Sequence, residues 1–541
     1  MLAGGAVALT CVALAPAALA APSQPSVLRV GTYNGIPGQY RTIEAAVKAA
    51  KPNDIILVAP GDYKTTSSLL PRGSGGQFPA GVLITTPDLT LRGMNRNAVI
   101  VDGSRKGPAC NDNPADQNFG RAAKGGPTGL NGIMVWKADD VTIENLTACN
   151  FLGGSGGDGG TGNEIWWNGG ANSGTIGGWG YAGSYLNATS GFFDSKQGLA
   201  KAEETAAEYG IFSSNWSGGT WNDTYTSNMN DSGYYIGACQ QLCEQTIDHA
   251  WGEYSALGYS GTNSGGTLVV ENSQFDNNEE GFDTNSQNNS DWPSPQDGVC
   301  PGNGISPITH THSCWVFRDN YVHDNNNPNV PAAGAAAAAP VGTGMSLEGR
   351  DDTVMDNVFK DNGAWGVVFQ PYPDTETPPA NVAKPCDGGV TNYNLLGLIT
   401  INCTYDDWND ALIENKFSNE GFFKNPTNGD FAESRFFPGH PTNCYQSNTD
   451  TSGQLTSSPA NLQTDSAICG ASASGPDQNL PFVLQAICDT QVFGTGTPCP
   501  TGANYPRRTK VVMHPLPTRK LPTMPNPCLG VPSNPWCPKK S

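Results

Sequence analysis

Apolar and polar positions through the middle of this chain recur in a fixed order. The clearest copy is Val269-Val270-Glu271-Asn272-Ser273-Gln274-Phe275-Asp276-Asn277-Asn278, followed by Gly281-Phe282-Asp283-Thr284-Asn285. An apolar pair leads to Asn, then to an aromatic residue and a second Asn, and Gly opens a new strand. Looser copies run from Trp315 to Asn326, Thr353 to Gln370 and Ala411 to Phe423, with earlier ones at Val141 to Phe151 and Thr246 to Thr262. Gly210, Gly233, Gly258 and Gly281 follow one another at intervals of 23, 25 and 23 residues, a period typical of stacked repeats. Each period predicts one turn of a parallel β-helix, in which alternate residues of every strand point inward. The glycines are expected to supply positive φ where the chain turns. Buried Asn amides are expected to stack into ladders that satisfy the turn backbone above and below.

A solenoid end exposes apolar rungs and unpaired strand edges, so it needs a cap. Ile43, Ala46, Val47 and Ala50 fall at helical spacing with Thr42 as N-cap, which predicts a short amphipathic helix before the strand Ile55 to Ala59. The segment Thr42-Ile43-Glu44-Ala45-Ala46-Val47-Lys48-Ala49-Ala50, then Asp54-Ile55-Ile56-Leu57-Val58-Ala59-Pro60-Gly61-Asp62-Tyr63, resembles the opening segment of the pectin lyase-like superfamily. With the Asn-rich repeats, the resemblance spans residues 28 to 435 and implies a right-handed parallel β-helix. That superfamily includes polysaccharide lyases, galacturonases, pectin esterases, uronan epimerases, phage tailspikes and non-enzymatic surface proteins. The resemblance therefore speaks to fold far more than to function.

The expected fold class is all-β, a parallel β-helix of roughly eight to ten rungs, with a short N-terminal capping helix and a Cys/Pro-rich C-terminal region. Residues 1–20 read as a signal peptide, an apolar stretch closing on Ala18-Leu19-Ala20. Residues 21–437 form the β-helix domain, with loop insertions at 153–193, 288–313, 328–342 and 371–410. Residues 438–541 are expected to form a disulfide-rich cap or tail whose proline-rich pieces lie along the helix surface.

The chain has 541 residues, 67 of them Gly and 41 Pro, and only 14% are charged. Its 29 basic and 49 acidic residues leave a net charge of −20, a field that repels nucleic acid and anionic membranes. A local basic patch or a bound cation can still invert that field for an acidic ligand. Beyond the leader no stretch reaches the roughly 20 apolar residues of a membrane span. Setting Cys11 of the leader aside, 14 of the 15 cysteines remain, an even set that in a secreted chain predicts disulfides over zinc. No CxxC pair occurs, and Cys239-x3-Cys243 stands alone without a second pair to complete a zinc site.

Counting from each rung-opening glycine separates inward from outward positions. Ile133, Val135, Phe282, Thr284, Met345, Leu347, Val367 and Phe369 should face in. Met134, Trp136, Phe212, Ser214, Tyr235, Gly237, Ser260, Thr262, Asp283, Asn285, Ser346, Glu348, Val368 and Gln370 should face out. This outward strip grades from aromatic to acidic, as suits a groove that stacks sugar rings and binds hydroxyls. Candidate substrate contacts are Trp136, Trp166, Trp167, Tyr235, Asn285 and Gln370. Asp283 and Glu348 should lie about 8 Å apart on adjacent rungs, within the roughly 6.5–9.5 Å that an inverting glycosidase leaves for its water. The bland reading is a pair of solvated surface carboxylates.

Elimination next to a uronate is the second chemistry open to this strip. It requires the substrate carboxylate to be neutralised and a base to be held at the neighbouring carbon. Ca2+ on Asp283 and Glu348, with Arg350, Lys360, Tyr235 or His249 as base, would provide both. His310 and His312, with His323, offer a transition-metal alternative, against which stands their reading as ordinary loop histidines. The functional expectation is a secreted protein that cleaves an extracellular polysaccharide as a glycoside hydrolase or lyase. The competing class is a non-catalytic glycan-binding or surface structural protein.

Overall fold

The structure is a computed structural model. It describes residues 25–539 apart from 155–159, 171–174, 195, 197–204, 240–241, 286–312, 335, 375–376, 378–384, 387–388, 396–398, 472–477, 490–498 and 515–520. The expected leader, the 288–313 insertion but for Ser313, and His310 and His312 lie outside the described residues.

The chain winds as a right-handed parallel β-helix whose rungs have three sides. In one rung these are Leu268–Glu271, Gln274–Asp276 and Glu280–Asn285. Each strand pairs in parallel with its counterpart one turn on: Val270 with Phe317, Phe275 with Val322, Phe282 with Met345. The third side alone forms an 11-stranded sheet from Ala80–Ile84 to Ser457–Ser458, more rungs than the repeat count suggested. The repeat signal fades at both ends, where Gly and Pro replace the Asn-aromatic-Asn order. Rungs also continue past residue 438, through Cys444–Gln446, Thr449–Asp450 and Ser457–Ser458.

Alternation decides the core. Phe282, Met345, Leu347, Val367 and Phe369 are inside, at most 1% exposed, and Phe282 stacks on Tyr259 at 4.2 Å between ring centroids. Each such ring removed from water stabilises the fold by about 2–3 kcal/mol. The expected Asn ladders are present. At the turn between the first and second sides, Asn357 Nδ2 donates to the Phe317 carbonyl and to Asn415 Oδ1, both at 2.9 Å, while its Oδ1 accepts the Asn320 N–H at 2.9 Å. Asn278, Asn325 and Asn362 repeat the arrangement at the next turn.

The rung-opening glycines play another part than expected. None of Gly210, Gly233, Gly258 and Gly281 has positive φ; the left-handed turn positions are filled by Asn272, Asn277, Asp319, Asp324, Asp356 and Asp361, each next to a ladder residue. Asn and Asp tolerate this conformation because their short polar side chains bond locally. Glycine is required at 281 by crowding, since a Cβ there would lie 2.5 Å from the Gly344 carbonyl oxygen and 2.7 Å from Asn325 Nδ2.

Helix α1, Ile43–Ala49, buries Ile43, Ala46 and Val47 against the opening rungs, and Thr42 Oγ1 accepts the Ala45 N–H at 3.2 Å. At the far end Gln463 Oε1 receives the Asn448 N–H at 2.8 Å and closes the ladder. Of the four expected insertions, 153–193 contains the rung strands Ile165–Asn168 and Tyr181–Thr189. The stretch 328–342 folds Val330, Ala332 and Ala336 onto Ala256 and Leu257. The stretch 371–410 is a true excursion carrying a small antiparallel sheet of three strands.

Past residue 500 an extended strap runs back along the solenoid. Arg508 Nε donates to the Pro328 carbonyl, His514 stacks on Tyr254, and the Pro522 carbonyl accepts from the buried Arg96. Trp536 reaches the opening rungs, where its Nε1 donates to the Ile36 carbonyl at 2.9 Å and its ring tilts against Tyr33. Six disulfides join Cys110–Cys149, Cys239–Cys243, Cys386–Cys403, Cys444–Cys469, Cys488–Cys499 and Cys528–Cys537 among the described residues. No helix among them is long and apolar enough to cross a membrane.

Candidate active site

The outward face of the third side has three parts. At its N-terminal end Met134, Trp166 and Phe212 form a buried apolar cluster. Phe78 covers it, with its ring 5.3 Å from Trp166 and 5.7 Å from Trp136. At the C-terminal end, helix α2 (Leu480–Asp489) lays Phe482, Val483 and Ala486 over Trp365, Val368 and Ala432. Between these covers Tyr235, Asp283 and Gln370 remain partly accessible.

The register places Asp283 opposite Ser346 and Asn285 opposite Glu348. Asp283 and Glu348 are thus one strand and two residues apart on the same face, about 8 Å by strand geometry. Burial pushes the Asp283 carboxyl up to about 7 although it is partly accessible, against the hydrogen bond it accepts from the Thr284 backbone. Glu348, 7% exposed, lies well above the usual carboxylate range because of burial and the neighbouring Asp283. Gln370 Nε2 opposes that shift by donating to Glu348 Oε1 at 2.6 Å. Glu280 is also raised, by burial and then by Asp283. Asp407, brought in by the 371–410 excursion, acts electrostatically on Glu348 and is raised by its own burial. Close carboxyls that cannot all ionise divide into protonated acids and one base.

Several expected positions lie elsewhere. Trp167 faces inward, fully buried beside Val135, with Nε1 donating to the Val141 carbonyl. The strand Ile165–Asn168 imposes this, because only one of two consecutive tryptophans can face out. Trp136 and Trp166 face outward but are 6% and 3% exposed, so neither offers an open face to a sugar. His249 sits on the turn between the first and second sides, beside Asp248 Oδ1 at 2.7 Å, away from the acid pair. Arg350 Nη1 is held by Asp351 at 2.9 Å and its guanidinium lies over Trp408, which leaves it poorly placed as a base. Lys360 belongs to the second side, beside Asp361. The Asn285 side chain lies outside the described residues.

Glu280 and Asp407 were not singled out in the sequence. Glu280 immediately precedes a rung-opening glycine, where counting began, and Asp407 belongs to an excursion without periodicity. For Ca2+, two carboxylates fall short of the six to eight oxygens that ion takes. Among the described residues no three His, Cys, Asp or Glu side chains gather closely enough to hold a metal, so Asp283 and Glu348 do not fit a calcium site by themselves.

No protein-family model matches the chain, and no curated protein matches it in sequence. Among solved structures it is similar to the A-module of a mannuronan C-5 epimerase from Azotobacter vinelandii, at 12% identity and TM-score 0.44 over 75% of this chain and 87% of that one. An alginate lyase from a Paenibacillus species matches at 10% identity and TM-score 0.34, over 79% and 97% of the two chains. A tailspike of an E. coli bacteriophage matches at 7% identity and TM-score 0.44, over 77% and 60%. What the chain shares with them is the parallel β-helix, which its own strand pairing establishes.

Proposed function

We propose that this chain is an extracellular carbohydrate-active protein that hydrolyses a polysaccharide at the third side of its helix. The observation that carries the reading is the diagonal pair Asp283 and Glu348 between two covered ends, both raised by burial and Glu348 further by Asp283. Glu348, the more buried, serves as the acid, giving its proton to the glycosidic oxygen as the bond to the anomeric carbon breaks. Asp283 takes a proton from the water whose oxygen bonds to that carbon. A separation of about 8 Å leaves room for this water and fits an inverting outcome. Elimination is less well supported, since the cation nearest Glu348 in sequence, Arg350, is engaged by Asp351 and Trp408. The six disulfides support an oxidising, extracellular setting.

The test is to incubate the protein with neutral and uronic-acid polysaccharides, following reducing ends and the absorbance of unsaturated products. Reducing ends that vanish in Asp283→Asn and Glu348→Gln support the proposal. Unsaturated product would convert the reading to elimination. Tight binding of a glycan with no product from any would make the chain a binding protein.

A further inference from the structure

We propose that a cavity at the N-terminal end of the solenoid, lined by Arg105 and Arg121, binds a carboxylate or sulfate group carried on a sugar chain. The cavity has a volume of about 550 Å³ and is walled by Thr66, Ser67, Ser68 and Leu69 on one side and by Asn118 and Gly120 on the other. The first wall follows the second-side strand Gly61–Lys64, and the second comes from the excursion after Val99–Asp102. It is a place where loops of the first two rungs meet.

Charge makes this cavity unlike its surroundings. Three carboxylates of the flanking segments are matched by lysines: Asp62 and Asp102 by Lys64 at 3.1 and 2.5 Å, and Asp116 by Lys106 at 3.5 Å. Neither Arg105 nor Arg121 forms an ion pair among the described residues. Two exposed guanidinium ions without counter-charges stand in a chain of net charge −20.

Both are nevertheless held in place. Arg105 Nε and Nη2 donate to Asn118 Oδ1 at 3.4 and 3.3 Å, and Arg121 Nη2 donates to the Ser68 carbonyl at 2.9 Å. Disulfide Cys110–Cys149 and the Lys64–Asp102 pair anchor the excursion that presents them. Arg105 Nη1 and the Nε and Nη1 of Arg121 remain without a protein acceptor among the described residues. Pre-positioned guanidinium forks suit carboxylates and sulfates, and Thr66, Ser67 and Ser68, which line the same space, are residue types that bind sugar hydroxyls. This inference rests on the proposed function only for the sugar that carries the charge.

Isothermal titration of the whole protein with a uronate oligosaccharide, a sulfated oligosaccharide, a neutral oligosaccharide and inorganic sulfate tests it. The acidic oligosaccharides should bind, more weakly as ionic strength rises, and the neutral one should not occupy the site. Arg105→Gln and Arg121→Gln should each weaken that binding about tenfold or more. Arg105→Lys should weaken it too, because charge survives but the fork is lost. Lys48→Gln, an exposed change on helix α1, controls for net charge and should leave affinity unchanged. Inorganic sulfate binding as tightly as the sulfated sugar would overturn the sugar-borne ligand, and unchanged affinity in both Arg→Gln variants would overturn the site. Asp283→Asn should keep the binding, so loss of cleavage alone would count against the acid pair and not against this cavity.

Discussion

Gln370 Nε2 donates to Glu348 Oε1 at 2.6 Å across adjacent strands of the third side. That bond favours ionised Glu348, against burial and Asp283, which favour the neutral acid. Replacing Gln370 by Leu should therefore move the alkaline limb of the pH–rate profile upward while leaving the acidic limb in place. A limb that stays put, or one that moves down, would remove Glu348 from the acid role.

Stability should depend on pH in a direction set by the same cluster. Burial pushes Asp283 up to about 7, well above the usual carboxylate range, and Glu253, raised by burial to about 7, behaves alike. Their folded pKa values are raised, so the folded chain holds more protons than the unfolded chain between about pH 4 and 7. Stability is fully present below that window and falls as pH rises through it. The melting temperature should be higher at pH 5 than at pH 8, and Asp283→Asn should flatten the difference. A protein that is more stable at pH 8 would contradict these shifts.

Gly281→Ala would press a methyl group onto the Gly344 carbonyl and the Asn325 amide. Overpacking of this kind costs about 1–3 kcal/mol, readable as a lowered denaturant midpoint. Because φ at Gly281 is not positive, the penalty should come from the clash alone. A neutral Gly281→Ala variant would show that the rungs can separate to admit it.

Asn357→Leu, of similar size, would leave the Phe317 carbonyl and the Asn320 N–H without their buried partners. Each unsatisfied group costs about 1–3 kcal/mol. Hydrogen exchange should speed up at the turns above and below, with distant rungs retaining protection. Uniform acceleration along the solenoid would mean that the ladder acts on global stability instead.

Trp536→Ala should loosen the strap where it meets the opening rungs, losing the bond to the Ile36 carbonyl and the contact with Tyr33. An effect of about 1–3 kcal/mol is expected, concentrated in exchange of residues 27–64. Protection unchanged there would mean that the strap's end contributes little.

The repeat made the core legible because alternation and the Asn ladder are local. Phe282 and Met345 could be placed inside, and Asp283 and Glu348 on one face, from spacing to the glycines. Trp167 was misread since a Gly-rich stretch hid the strand that carries it. The burial of Trp166 was out of reach for a different reason: Phe78, which covers it, lies 88 residues earlier with no pattern linking them. Likewise nothing around Arg105 and Arg121 suggests that two loops close a cavity between them.

The strap alters how the ends of this solenoid depend on each other. Stacked repeats ordinarily touch only their neighbours, so either end can fray alone. Here the Arg92 guanidinium is held by the carbonyls of Pro527 and Leu529, and Arg96 by that of Pro522. A chain synthesised from its N-terminus therefore makes its opening rungs some four hundred residues before Pro522, Pro527 and Leu529, which complete their outer contacts.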